Sequence, residues 1–211
     1  MIIAGHGAYA MPPSIASLTN RLVALDAVTR RSVMYAAVIA TLHLAALVIM
    51  WRTEYDIIPP AIFLVTWGFL NFFWLLLLRR PALSAALSLT MVVIVVLLSR
   101  LKHDMIWMTM TFIDFMIIDT DTIAFLLQMF PDLPRRVALA ALLIVPLMGL
   151  IWWLDPFRLR RRYALVGAVT CLGGLIGISV AFPPEHWEMF IAHSYVSKFA
   201  HSGVEAIAEL A

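Results

Sequence analysis

Five long apolar segments run through this 211-residue chain, and the arginines between them gather in alternate connections. About 20 apolar residues make a helix long enough to cross a hydrocarbon core of roughly 30 Å. Inside that core, which holds no water, a helix is one of the few structures that satisfies its own backbone. The segments are Ser32 to Trp51, Pro60 to Leu78, Ala82 to Leu98, Val137 to Leu154 and Tyr163 to Phe182. Composition agrees, since only 13% of residues are charged, against roughly 25% in soluble domains. The expected fold is all-α: a polytopic membrane bundle of five transmembrane spans plus an outer interfacial or re-entrant helical segment.

Positive residues near span ends are retained on the cytoplasmic side. With the amino terminus inside, the inner set is Arg21, Arg30, Arg31, Arg79, Arg80, Arg158, Arg160, Arg161 and Arg162. The outer set is the smaller one: Arg52, Arg100, Lys102, Arg135, Arg136 and Lys198. Of the acids, Asp26 and Asp155 lie inside and the rest outside. Residues 1–31 have no apolar core before a small-residue cleavage site, so they read as a cytoplasmic segment and not as a signal peptide. Residues 32–182 then form the five-span domain, with the interfacial segment at 100–136, and 183–211 an extracytoplasmic linker helix. Cys171 is the single cysteine, which excludes an intrachain disulfide.

Met105 to Phe130 is apolar and long enough to be a sixth span. Asp114, Asp119 and Asp121 argue against it, at about 2.5 to 3.5 kcal/mol for each acid at a helix centre. A sixth span would also carry the Arg158 to Arg162 cluster to the outside. An interfacial or re-entrant segment is therefore expected. Asp114, Asp121 and Gln128 recur every seven residues and share one helical face, with Met110, Ile113, Ile117, Ala124 and Leu127 on a more apolar one.

Smaller features have structural explanations. Gly173 and Gly177 form a GxxxG pair expected to serve helix packing, within the bundle before dimerisation. Pro146 is tolerated in the fourth span. Trp51, Trp107, Trp152, Trp153 and Trp187 read as interfacial anchors. His43 has no acidic partner at helical spacing on its own span, so a buried histidine bonded to a carbonyl outweighs a proton path. Glu185, His186, Glu188, His193 and His201 match neither HExxH nor a zinc-finger spacing, and no metal site is expected. Nucleotide-binding and hydrolase motifs are missing too, and the Arg158 to Arg162 loop reads as a topology signal and not a nucleic-acid site.

Ser99 to Asp104 (SRLKHD), leading into IDFMIIDTDTIAFLLQMFP and later HSYVSKFAHSGV at 193–204, resembles the membrane-embedded amino-terminal region of bacterial sulfatase-like transferases. These are the lipoteichoic acid synthase and phosphoglycerol transferase relatives of the alkaline phosphatase superfamily. The likeness runs from the first span onward. It implies a multi-pass protein of the bacterial cytoplasmic membrane, amino terminus inside and carboxyl terminus outside, that anchors an extracytoplasmic metal-dependent catalytic domain of the cell envelope. The nucleophile and metal ligands of such a domain have no counterpart in these residues, so they are expected to be inert alone and to hold no cofactor. Either the chain is a fragment, or it is a membrane module on its own. The expected partners are membrane lipids, and either a downstream catalytic domain or other membrane subunits. Lys102, His103, Asp114, Asp119 and Asp121 are the candidate surface for a lipid phosphate, a sugar or a partner, weighed against the simpler role of acids that keep the segment at the interface. The competing function is a non-catalytic subunit of a larger membrane complex, docking through the outer segment and Ser194 to Leu210.

Overall fold

A computed structural model describes residues 15–155, 157–183 and 194–210, and among these it contains helices and no strand. The elements are α1 (Ile15–Thr53), α2 (Ile58–Leu78), α3 (Pro81–Ile106), α4 (Phe112–Met116), α5 (Thr120–Met129), α6 (Leu133–Leu154), α7 (Arg161–Ala181) and α8 (Tyr195–Leu210). Two compact units divide the chain. The first is Met1–Ala37, whose described part belongs to α1; the second, Val38–Ala211, holds the remaining helices and every site discussed below.

Five helices are long and apolar enough to span a membrane: Ser32–Thr53 within α1, then α2, α3, Leu133–Trp153 within α6, and α7. They coincide with the five expected segments. The largest difference is in α3, which continues past Leu98 to Ile106 and so carries Arg100, Lys102, His103 and Asp104 on helix. Helix starts are marked by prolines in the first turn of α2, α3 and α6, where a missing N–H costs nothing. Two non-glycine residues in the left-handed region close α2 and α3: Arg79 at φ 62°, whose N–H donates to the Leu75 carbonyl, and Trp107 at φ 58°, whose N–H donates to that of His103.

The sixth span does not form. Residues 112–129 fold as two short helices, α4 of five residues and α5 of ten. At about 1.5 Å per residue neither reaches across a bilayer. The break at Ile117–Asp119 also corrects the shared face expected for Asp114, Asp121 and Gln128, which needed one continuous helix.

Lipid is as apolar as any helix surface, so packing between spans depends on close approach and on satisfied polar groups. α2 lies against α7 through small residues. A methyl group at Gly167 would sit 2.6 Å from the Phe72 ring, one at Gly68 2.9 Å from Cys171 Sγ, and one at Gly174 3.5 Å from Val65. Gly173 and Gly177, the expected packing pair, have nothing within 4 Å of their Cβ positions; their face points away from the bundle, and the contact falls to Gly167 and Gly174 instead. The first half of α3 buries Ala82, Ser84, Ala85 and Ser88. Its hydroxyls donate back along the helix, Ser84 to the Arg80 carbonyl at 2.7 Å and Ser88 to the Ser84 carbonyl at 2.9 Å, so no water is needed. One apolar cluster joins Ala46, Phe63, Trp67, Val92, Val96, Tyr195 and Val196, and a second joins Ile62 and Leu175 with Ile178, Ala200 and Val204.

At one end of the bundle the α2–α3 turn meets the α6–α7 connection. Buried Asp155 accepts the Ala82 and Phe157 N–H groups at 3.2 and 3.1 Å, the Leu159 N–H donates to the Arg79 carbonyl at 3.1 Å, and the Arg80 guanidinium lies 4.8 Å above the Trp152 ring. We call this the arginine-loop end. α8 closes the opposite one. Expected as a linker helix, α8 packs against α2, α3, α4 and α7, and Val196, Ser197, His201 and Ala206 are buried. His43 donates through Nδ1 to the Ile39 carbonyl at 2.9 Å and meets Trp67 edge-on. The carbonyl bond is the one expected, although the residue is exposed on the bundle surface and not buried. Trp51, Trp107, Trp152 and Trp153 are exposed at the ends of α1, α3 and α6. Trp187, together with Glu185, His186, Glu188 and His193, lies outside the described residues.

Candidate functional site at the α8 end

Glu54, the residue after the first span, is 4% exposed. Its Oε1 accepts the Val196 N–H at 3.0 Å and its Oε2 accepts the Ser197 hydroxyl at 2.5 Å. Next to it the Ser194 N–H donates to the Thr53 carbonyl at 2.7 Å, with Ser194 itself left-handed at φ 75°. The first turn of α8 is thus capped by a carboxyl from the end of α1, which satisfies amide groups that would otherwise be orphaned. Burial pushes the Glu54 carboxyl up to about 7, against the opposing pull of the Ser197 hydroxyl, the Val196 and Ser197 amides and the Lys198 charge.

α8 in turn positions α4. The Phe112 N–H donates to Ser202 Oγ at 2.8 Å, the rings of Phe112 and Phe199 stack edge-on at 5.9 Å, and Gly203 leaves room for Phe112. Two residues on, Asp114 Oδ2 gathers three donors: Lys102 Nζ at 2.5 Å, the Thr111 N–H at 2.7 Å and the Thr111 hydroxyl at 2.8 Å. Thr111 and Asp114 form a capping box around the start of α4. Burial works to raise the Asp114 carboxyl, but the Lys102 and Thr111 hydrogen bonds and the lysine charge together hold it below the ordinary carboxylate value.

Between the end of α3 and the α4–α5 segment lies a groove of about 330 Å³. Its walls are apolar, with Leu98, Leu101, Met105, Met110 and Phe125 among them, and the Lys102–Asp114 pair stands at its side. That volume falls in the range of small-ligand sites, which pair apolar walls with a few fixed polar groups. Of the five candidate residues, then, the fold joins Lys102 and Asp114. His103 turns to the Trp107 ring at 5.4 Å, and its Nδ1 is buried without a hydrogen-bond partner among the described residues. Asp119 caps α5, accepting the Thr122 N–H at 2.8 Å and its hydroxyl at 2.7 Å, and these bonds hold its carboxyl below the usual value. Asp121 is exposed in the first turn of α5. Neither Asp119 nor Asp121 lines the groove.

Sequence reasoning missed Glu54. Its signal was a carboxyl directly at a span end together with the Ser194–Ser197 pair opening a helix, but nothing in the spacing joins positions 142 apart. No protein family, curated protein or solved structure was found to match this chain.

Proposed function

We propose that this chain is the membrane domain of a sulfatase-like phosphoglycerol- or phosphoethanolamine-type transferase, and that it holds lipid at the α8 end for a catalytic domain outside these residues. In this reading the membrane is the bacterial cytoplasmic one, the arginine-loop end faces the cytoplasm and α8 lies outside. The observation that carries it is the groove beside α3: an apolar slot at the membrane boundary, with an ion-paired lysine ready to exchange Asp114 for a phosphate. Lys102 binds the headgroup, Asp114 keeps the ammonium in place when the groove is vacant, and Leu101 and Phe125 take the first part of an acyl chain.

Photo-crosslinking with a phospholipid carrying a diazirine in its acyl chain tests this in native membranes. Label is expected on α3 and α5 around Met105 and Phe125, and Lys102→Gln should reduce it several-fold. Labelling indifferent to Lys102→Gln and to a groove-filling Leu101→Trp would end the presenting role. The competing function, a non-catalytic membrane subunit, makes a different prediction: a purified native mass near that of 211 residues and stoichiometric partner chains.

A further inference from the structure

A second groove, on the other side of α3, runs between α1 and α3 with a volume of about 260 Å³. We propose that it holds a resident anionic glycerophospholipid, its phosphate on Arg52 and Arg100 and one acyl chain along the apolar walls beneath them.

The register of the two helices supports this. Arg52 stands three and four residues after Ile49 and Val48, and Arg100 three and seven after Leu97 and Val93; all six line the groove. Residues at these spacings share a helical face. Each helix therefore presents an apolar strip ending in a guanidinium. As the first and third spans, α1 and α3 run in the same direction across the membrane, so both guanidinia fall at the same end whichever way the protein is inserted. Together they make a slot with apolar walls and a doubly cationic mouth, the complement of a lipid tail and its phosphodiester. Arginine binds phosphate through a planar fork of donors and holds its hydration weakly.

No carboxyl lines the groove among the described residues, and neither Arg52 nor Arg100 has a hydrogen-bond or ion-pair partner there. Glu54, two residues beyond Arg52, is taken up by α8. The remaining polar wall group, the Thr53 hydroxyl, is satisfied by the Ile49 carbonyl at 2.8 Å. Retention of positive charge on the cytoplasmic side does not account for the pair, because this end of the bundle is the poorer in lysine and arginine. The site is separate from the Lys102 groove and does not depend on the function proposed for it.

Native mass spectrometry of the full chain in detergent, titrated with dioleoyl phosphatidylglycerol or dioleoyl phosphatidylcholine, tests the assignment. The wild-type chain should retain one phosphatidylglycerol at least about tenfold more tightly than phosphatidylcholine, whose phosphate is the same but whose quaternary ammonium is repelled by the two guanidinia. R52Q/R100Q should abolish that preference, and Val93→Trp, which fills the groove and keeps both charges, should weaken retention. Lys102→Gln should leave it unchanged. Equal retention of the two lipids overturns the proposal, as does an unchanged preference in R52Q/R100Q. Full retention by Val93→Trp would mean that the groove seats no chain, and displacement by millimolar inorganic phosphate would mean an anion site without a lipid. Loss on Lys102→Gln alone would place the lipid in the other groove.

Discussion

α2 and α6 are nearly equal in length and both strongly apolar, yet α2 buries Pro59, Ile62, Phe63, Trp67 and Leu75 whereas the spanning part of α6 buries nothing. The difference lies in the neighbours and in the residues that admit them. Gly68 of α2 and Gly167 and Gly174 of α7 bring two backbones together, and α8 covers the end of that pair. α6 touches α3 and is fastened at the arginine-loop end through Trp152 and Asp155; its leucines and valines otherwise face outward. In a membrane, apolarity fixes where a helix resides, and small residues and polar caps decide which helices pack. The Lys102 groove lies where these regimes meet, with the well-packed α3 on one wall and the exposed α4–α5 segment on the other, which suits a site that must open.

The comparison can be broken most sharply at its extremes. Ile62→Ala empties a fully enclosed site and should cost about 2 to 4 kcal/mol, seen as a lower unfolding midpoint in detergent; Leu143→Ala on α6, where the side chain is 74% exposed, should stay within about 0.5 kcal/mol. A loss of equal size at Leu143 would show α6 to be as tightly packed as α2. Gly167→Leu should follow closely, at about 1 to 3 kcal/mol from overpacking against Phe72, with Gly173→Leu near neutral.

Glu54 supplies a pH-dependent version of the same contrast. Its carboxyl titrates at about 7 in the fold, above its ordinary 4.5, so between those values the folded state binds the extra proton. Stability contributed by this group is therefore present in full below about 4.5 and is lost as pH rises through 7. Hydrogen exchange at Val196 and Ser197, corrected for intrinsic rates, should show α8 better protected at pH 5 than at pH 8. Glu54→Gln should flatten that dependence, while Glu54→Ala should release α8 at both pH values. Smaller still is the effect of breaking the Lys102–Asp114 pair: both side chains are partly exposed, so Lys102→Met should cost no more than about 1 kcal/mol. Asp119→Ala should fray the start of α5 in exchange experiments and leave the global midpoint unchanged.

The five spans were legible because length and apolarity are one-dimensional properties. So was the failure of Met105 to Phe130 to cross, since its acids fall where a span would need apolar residues. Lys102 and Asp114 were legible as candidates but not as a pair, because it takes the turn through Trp107 to bring them together. Gly173 and Gly177 misled for a physical reason: spacing tells which glycines share a face, but with lipid as apolar as protein it does not say which face meets a neighbour. Glu54 and α8 were hidden by sequence distance.

That distance has a consequence for how the protein is made. The carboxyl of Glu54 leaves the ribosome 142 residues ahead of the amide it will cap, at about 5 to 20 residues per second an interval on the order of ten seconds or more. Until then every span can be in the bilayer while the assembly stays unlatched. The last helix to be synthesised among those described is also the one that touches α2, α3, α4 and α7 together, so its docking waits until those four helices are in place.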